Sequence, residues 1–195
     1  MPKHIDHEQR REQIAEALWR VVEQEGVAQV SVRRVAQEAG LAVGSLRHVF
    51  PTRADLLEFS TELMLRRATE RIRQVTPHED IEEYACEVLE HLVPLTPASR
   101  IEFAVNLALY AEAPSVSQIG VLRDRAQHAL QEGCRLLARR LGVPDVRVEL
   151  EARRLHALVD GLALHLSGSV DAAEAEWARE ILAAEVHRLH AAAAE

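Results

Sequence analysis

Apolar residues recur at helical spacing along almost the whole chain, and polar, Gly and Pro punctuation divides it into nine segments. Ile14, Ala17, Leu18, Val21 and Val22 form one stripe, closed by Gly26. Val32, Val35, Ala36 and Ala39 form the next, behind Ser31, a residue type that caps helix N-termini. Gly40 supplies the positive φ that a helix end and a tight turn require. Val43 to Phe50 then makes a helix too short to stand alone in water, so its neighbours must hold it. Thr52 and Asp55 open a capping box for a long helix from Ala54 to Val75. Five further starts are legible: Thr76-Pro77-His78-Glu79, Thr96-Pro97, Pro114-Ser115 with Gln118, Pro144-Asp145, and Asp171 with Glu174. The corresponding helices run to about residues 93, 111, 141, 166 and 193, with Ser167-Gly168-Ser169 as the last break. No strand alternation, internal repeat or linker interrupts them, so the pattern predicts an all-α protein of three helices followed by six.

The first three carry the chemistry. A short helix packed across another through a Gly-containing turn is the helix-turn-helix layout, whose second helix enters the DNA major groove. Ser31 to Leu57, SVRRVAQEAGLAVGSLRHVFPTRADLL, has this form.

This stretch, with the helix before it, resembles the TetR (AcrR) family of bacterial transcriptional regulators from Ile14 to about Leu57. The family pattern runs A-G-V-S-x-G-x-L-Y-x-x-F-x-x-K-x-x-L, and Ala39, Gly40, Leu41, Gly44, Leu46, His48, Phe50, Arg53 and Leu56 stand in its register. Three positions depart from it. Ala42 replaces the usual Ser cap, a loss of about 1 kcal/mol. Arg47 replaces a phosphate-binding Tyr, and Val49 a common aromatic. A guanidinium keeps the phosphate contact, since it binds phosphate bidentately. The resemblance implies a helix-turn-helix DNA-binding domain at 1–57 and a six-helix effector-binding and dimerisation domain at 58–195.

Charge at first argues against DNA, because the net value is −8. Its distribution removes most of the difficulty. Residues 1–57 hold eight basic and eight acidic side chains, whereas 76–195 hold eleven basic against twenty acidic. The acidity lies outside the DNA-binding segment, where local arrangement decides binding. Ser31, Arg47, His48 and Arg53 are candidate phosphate ligands, with Thr52 aiming the next helix at the backbone. Arg34, Val43 and Ser45 are candidate base readers, Arg34 toward guanine and Val43 toward a thymine methyl, with Gly44 permitting close approach. Arg33 joins the DNA-facing set; the alternative for Arg33 and Arg34 is an ordinary solvated helix charge. Leu46, Phe50 and Leu57 read as core.

Behind this domain, Leu150, Leu155, Leu158, Val159, Leu162, Leu164 and Leu166 cover more than one side of their helix. Such a helix must bury two faces, one in its own core and one against a partner. Leu155, Leu158, Val159, Gly161 and Leu162, with Trp177, Ile181 and Ala184 on the last helix, are the expected homodimer surface. Two-fold symmetry then implies a palindromic double-stranded DNA operator. The family resemblance adds a small-molecule effector inside the second domain that releases DNA. Phe103, Asn106, Leu107 and Tyr110 share one helix face and suit a mainly apolar pocket with one polar group, or plain core with a satisfied Asn. Tyr84, Cys86, His128, His165 and Trp177 are looser candidates.

Other chemistry finds little support. His156 and Asp160 stand four apart on one helix, but two ligands do not make a metal site. No His follows a Glu by three residues, as a di-iron bundle would need. There is no phosphate-binding Gly-rich loop and no G-x-S-x-G elbow, so no enzyme and no cofactor is expected. Cys86 and Cys134 stand in no metal or redox spacing, no apolar run approaches a span of about 20 residues, and the N-terminus lacks a signal's apolar core. Those features read as cytoplasmic. The competing class is a helical adaptor, or a relative that has lost specific DNA binding.

Overall fold

The computed structural model describes residues 3–76, 79–112, 117–167 and 172–192. Among these are nine α-helices and no strand: α1 (Lys3–Glu25), α2 (Val32–Glu38), α3 (Val43–Val49), α4 (Arg53–Gln74), α5 (Ile81–Glu90), α6 (Pro97–Glu112), α7 (Ser117–Arg140), α8 (Asp145–His165) and α9 (Ala172–Ala191). A single 3-10 turn, Val27–Gln29, joins α1 to α2. Gly26, Gly40 and Gly142 have φ of 83°, 67° and 84°, ending α1, α2 and α7 where an L side chain would be strained.

The helix starts follow the expected capping chemistry, with one shift. Ser31 accepts a hydrogen bond from the Arg34 amide at 3.1 Å. Thr52 and Asp55 cap reciprocally, Asp55 N–H to Thr52 Oγ1 at 3.2 Å and Thr52 N–H to Asp55 Oδ2 at 2.8 Å. Thr96 does the same with Ser99. The shift is at α5. Its cap is Asp80, whose carboxylate accepts from the Glu82 and Glu83 amides, so the helix begins at Ile81 rather than near 78. Pro77 and His78 lie outside the described residues, as do the expected starts at Pro114-Ser115 and Asp171 and the break at Gly168-Ser169.

Two compact units form. The first comprises residues 1–66 with 104–124, and the second 67–103 with 125–195. The first therefore takes in, besides 1–57, the beginning of α4 and a segment much later in the chain. In it, Ile14, Leu18, Val21, Val35, Leu46, Phe50 and Leu56 are almost wholly buried. Leu57, Leu109, Ile119 and Leu122 form a further apolar cluster there. The Trp19 indole N–H donates to Ser60 Oγ at 2.5 Å, satisfying a polar atom that burial would otherwise strand.

The second unit is built on one core that includes Leu89, Leu137, Leu141, Leu155, Val159, Leu162, Leu182 and Leu189, drawn from α5, α7, α8 and α9. Glu151, 1 % exposed, anchors α8 to α9 by accepting from Arg188 at 2.6 Å, and it also accepts from Arg147 of its own helix at 3.0 Å. Burial pushes its carboxyl up, but those hydrogen bonds outweigh burial and hold it below the ordinary value.

Candidate nucleic-acid interface

Helix α3 is held by its buried side and presents the other. Leu46 and Phe50 are 0 % and 2 % exposed, whereas Val43, Gly44, Ser45, Arg47 and His48 are all exposed. Phe50 packs on Phe59 of α4 with ring centroids 5.4 Å apart, and the Arg11 guanidinium of α1 lies 4.6 Å from the Phe59 centroid. Such cation–π contacts fix the exit of α3 from both sides. The Ala42 position carries no side-chain cap, as expected from the missing hydroxyl. Beyond its chain neighbours and its own helix backbone, a Cβ on Gly44 would meet nothing within 4 Å among the described residues, so the glycine leaves free space on the exposed side.

Ser31, Arg33 and Thr52 are also exposed. Arg33 and Arg47 make no ion pair among the described residues, and their charge faces solvent. Arg53 serves the fold as well: its Nε donates to the Val30 carbonyl at 2.8 Å, tying the start of α4 to the approach of α2.

Arg34 corrects the sequence reading. Its Nε lies 2.9 Å from Glu25 Oε1, and its Nη2 lies 3.1 Å from Glu38 Oε2. Glu38 in turn accepts from Arg20 at 3.0 Å. The hydrogen bonds from Arg34 and Arg20 lower the Glu25 and Glu38 carboxyls, and the same bonds raise Arg34. With its fork filled by carboxylates, Arg34 braces α2 against the end of α1 and is not presented to a base. Sequence reasoning missed Glu25 and Glu38 as partners. The Arg34–Glu38 pair had a signal in its i, i+4 spacing; Glu25, nine residues back across a turn, had none.

The other candidate sets divide. Leu155, Val159 and Leu162 belong to the core of their own chain, at 0–3 % exposure, and are corrected from partner surface to core. Leu158, Gly161 and Ile181 are half-buried and Ala184 is exposed. Trp177 is 43 % exposed and meets His165 of α8 edge-on at 6.1 Å, so the outer sides of α8 and α9 adjoin. Among the described residues, nothing beyond its chain neighbours and the backbone of its own helix lies within 4 Å of a Cβ placed on Gly161.

Among the looser pocket candidates, His128 stands on the surface of α7, 3.9 Å from Glu132, and His165 and Trp177 form an outward pair; these three line no interior of the chain. Tyr84 and Cys86 pack against the second unit's core, Tyr84 with the Arg140 guanidinium 4.7 Å from its ring centroid. On α6, Phe103 and Leu107 are half-buried and Tyr110 is 40 % exposed. The Asn106 Oδ1 is enclosed and has no hydrogen-bond partner. Phe103 falls in the second unit and Asn106, Leu107 and Tyr110 in the first, so one helix carries all four but no one unit does. His156 Nδ1 lies 2.8 Å from Gln131 Oε1, to which its N–H donates, and its Nε2 lies 3.4 Å from Asp160. Among the described residues no group of three His, Cys, Asp or Glu side chains could hold a metal.

Comparison with known proteins decides between the remaining classes. Residues 14–58 match the family model for bacterial regulatory proteins of the tetR family, and residues 81–191 match that for the C-terminal part of BetI-type transcriptional repressors. The chain belongs to the TetR family of transcriptional regulators. The HTH-type transcriptional regulator PksA of Bacillus subtilis (strain 168) is 39 % identical over 171 residues, 85 % of this chain and 82 % of that protein. The crystal structure of a transcriptional regulator from Rhodococcus sp. Rha1 superposes with a TM-score of 0.81 at 26 % identity, over 92 % of this chain and 95 % of that one. The multidrug binding protein EbrR, solved with ethidium, does so at 0.64 and 26 %, over 92 % and 98 %. This TetR-family chain is thus a DNA-binding helix-turn-helix regulator and not an enzyme. Among its described residues no helix is long and apolar enough to cross a membrane.

Proposed function

We propose that this regulator is a homodimeric repressor that binds a palindromic operator from the cytoplasm and is released by a small-molecule effector. The observation that carries the reading is the division of α3, with Leu46 and the C-cap Phe50 buried and Val43, Gly44, Ser45, Arg47 and His48 exposed. A helix anchored on one side and open along the other meets the requirement for entry into a major groove. Val43 and Ser45 read base edges there, and Arg33 takes the role that Arg34 cannot fill. Ser31, Arg47, His48, Thr52 and Arg53 bind phosphates and fix the register.

The outer band of α8 and α9, comprising Leu158, Gly161, Leu164, Trp177, Ile181 and Ala184, supports dimerisation. Leu164 is 58 % exposed and Trp177 43 %, large apolar side chains that a second copy would cover. The unpartnered Asn106 Oδ1 supports a mainly apolar effector carrying one hydrogen-bond donor. EbrR, solved with ethidium, is a relative of similar fold that binds a small molecule. By linkage, the effector binds the DNA-free state more tightly than the bound one.

Selection from a randomised double-stranded DNA pool, with Arg47→Ala alongside, tests the reading. The expected result is an enriched inverted repeat whose affinity, but not consensus, changes in the variant. Failure to enrich any sequence at moderate salt defeats it.

A further inference from the structure

Among the described residues, three enclosed side-chain atoms have no hydrogen-bond partner: Asn106 Oδ1, Gln131 Nε2 and His156 Nε2. Buried polar atoms are nearly always paired, so each of these needs an occupant. The last two belong to side chains already joined. Gln131 of α7 and His156 of α8 meet within the second unit, Gln131 Oε1 lying 2.8 Å from His156 Nδ1, and His156 is only 9 % exposed. The amide oxygen can only accept, so Nδ1 carries the ring hydrogen and Nε2 of the neutral ring is a bare acceptor. Gln131 Nε2, on the same amide, is a donor. The pair therefore leaves one unused acceptor and one unused donor.

A third group restricts what can enter. Asp160, one turn further along α8, brings Oδ2 to 3.4 Å from His156 Nε2. Two acceptors facing each other with no hydrogen between them repel, and a donor placed there relieves both. The carboxylate also repels any anion. The positions that share a helix face with His156 are small or aliphatic: Ala152, Val159 and Ala163 are buried on α8, as is Cys134 one turn after Gln131 on α7. An ammonium group satisfies His156 and Asp160 but offers no lone pair to Gln131. A ketone or ether satisfies Gln131 but gives nothing to His156. A hydroxyl or a primary carboxamide does both.

We propose that Gln131 and His156 form a ligand site for a small uncharged molecule bearing a hydroxyl or primary carboxamide. That group donates to His156 Nε2 and accepts from Gln131 Nε2, while Asp160 turns carboxylates away. The inference goes beyond the effector reading above. Asn106 lies in the other compact unit and its oxygen needs a donor alone, whereas this pair needs a donor and an acceptor on one group.

Nitrogen NMR of the full-length chain tests this, with acetamide, n-propanol and acetate as probes, in mildly alkaline buffer where an ordinary imidazole is neutral. In the free protein His156 is expected to be the Nδ1–H tautomer. Acetamide or n-propanol is expected to shift the His156 Nε2 resonance saturably, and the arm that binds more tightly tells which group the site prefers. Acetate, of the same shape as acetamide, is expected to bind about tenfold more weakly or worse. Gln131→Leu keeps the ring and removes the donor, and is expected to weaken the neutral probe by about fivefold or more. Should it fold poorly by thermal melting, Gln131→Met takes its place. Asp160→Asn is expected to remove most of the discrimination against acetate. An Nε2–H tautomer in the free protein overturns the proposal, as does equal binding of acetate and acetamide by the wild type, or a Gln131 variant that binds as the wild type does. So does an Nε2 resonance that answers to neither neutral probe at a concentration on the order of 0.5 M, which leaves a buried water as the occupant. No DNA is present, so every outcome is independent of the operator selection that decides the regulator reading.

Discussion

Arg34 of α2 and Glu25 at the end of α1 are locked together, guanidinium Nε to carboxylate Oε1 at 2.9 Å, while the neighbouring Arg33 points to solvent. Adjacent arginines on one short helix thus have opposite duties, one toward the fold and one toward DNA. The neutral net charge of residues 1–57 follows the same logic. Arg20, Glu25, Arg34 and Glu38 neutralise one another, leaving Arg33 and Arg47 as uncompensated charge beside α3.

Substitution at the two positions should separate these duties. Arg33→Ala is expected to weaken operator binding and to lower the log–log salt slope by about 0.9 if it holds one phosphate, or to relax the consensus at one position if it reads a base. Arg34→Met should leave both slope and consensus unchanged while lowering the melting temperature of the protein. Binding titrations over a range of salt, with melts run in parallel, check both.

The outer and inner sides of α8 should also respond differently. Trp177→Arg is expected to yield a monomer in sedimentation velocity and to weaken operator binding, with the fold intact. Leu155→Ala, in the core, should instead destabilise the chain by about 2–5 kcal/mol and leave association unchanged under native conditions. A Trp177 variant that sediments as the wild type does would remove α8 and α9 as the dimer surface.

These contrasts mark where the amino-acid pattern is informative. The Gly40 turn, the buried Leu46 and Phe50 and the Thr52–Asp55 cap were legible, because backbone sterics, helical period and capping chemistry act over a few residues. Which apolar stripe of α8 faces inward was not. Leu155, Val159 and Leu162 lie within and Leu150 and Leu164 without, yet both stripes consist of leucine-type residues, and only packing against α7 and α9 distinguishes them. The Asp80 cap displaced an equally well-formed signal at Thr76-Pro77, a choice among local alternatives that periodicity does not make. The Arg34–Glu25 pair was invisible for a further reason: charge partners set by tertiary structure leave no spacing in the sequence.

The two thiols should differ in reactivity. Burial, with the Asp160 carboxylate second, pushes the Cys134 thiol up to about 12, and Cys86 is raised by burial and neighbouring acids while remaining half-buried. The thiolate is the reacting species. At pH 8 a chromogenic disulfide reagent is therefore expected to modify Cys86 slowly and Cys134 only on unfolding. Two equivalents reacting at one rate in the native state would contradict the burial of Cys134.

Acid should loosen the α8–α9 anchor. The folded-state pKa of Glu151 is depressed, so its stabilisation is full above the ordinary glutamate value, about 4.3, and is lost as pH falls through the depressed one. Melting temperature is expected to fall below about pH 4.3 more steeply in the wild type than in Glu151→Gln, which lacks the titrating group. Parallel acid limbs in the two proteins would show that Glu151 is not a source of the pH dependence.

The most direct test is hydroxyl-radical footprinting of the selected duplex bound by the wild-type protein. Two α3 helices related by a dyad should protect two equal backbone tracts, symmetric about one centre and separated by about one helical turn of DNA or a multiple of it. A single unsymmetric tract would contradict the dimeric reading, and uniform protection along the duplex would contradict sequence-specific recognition itself.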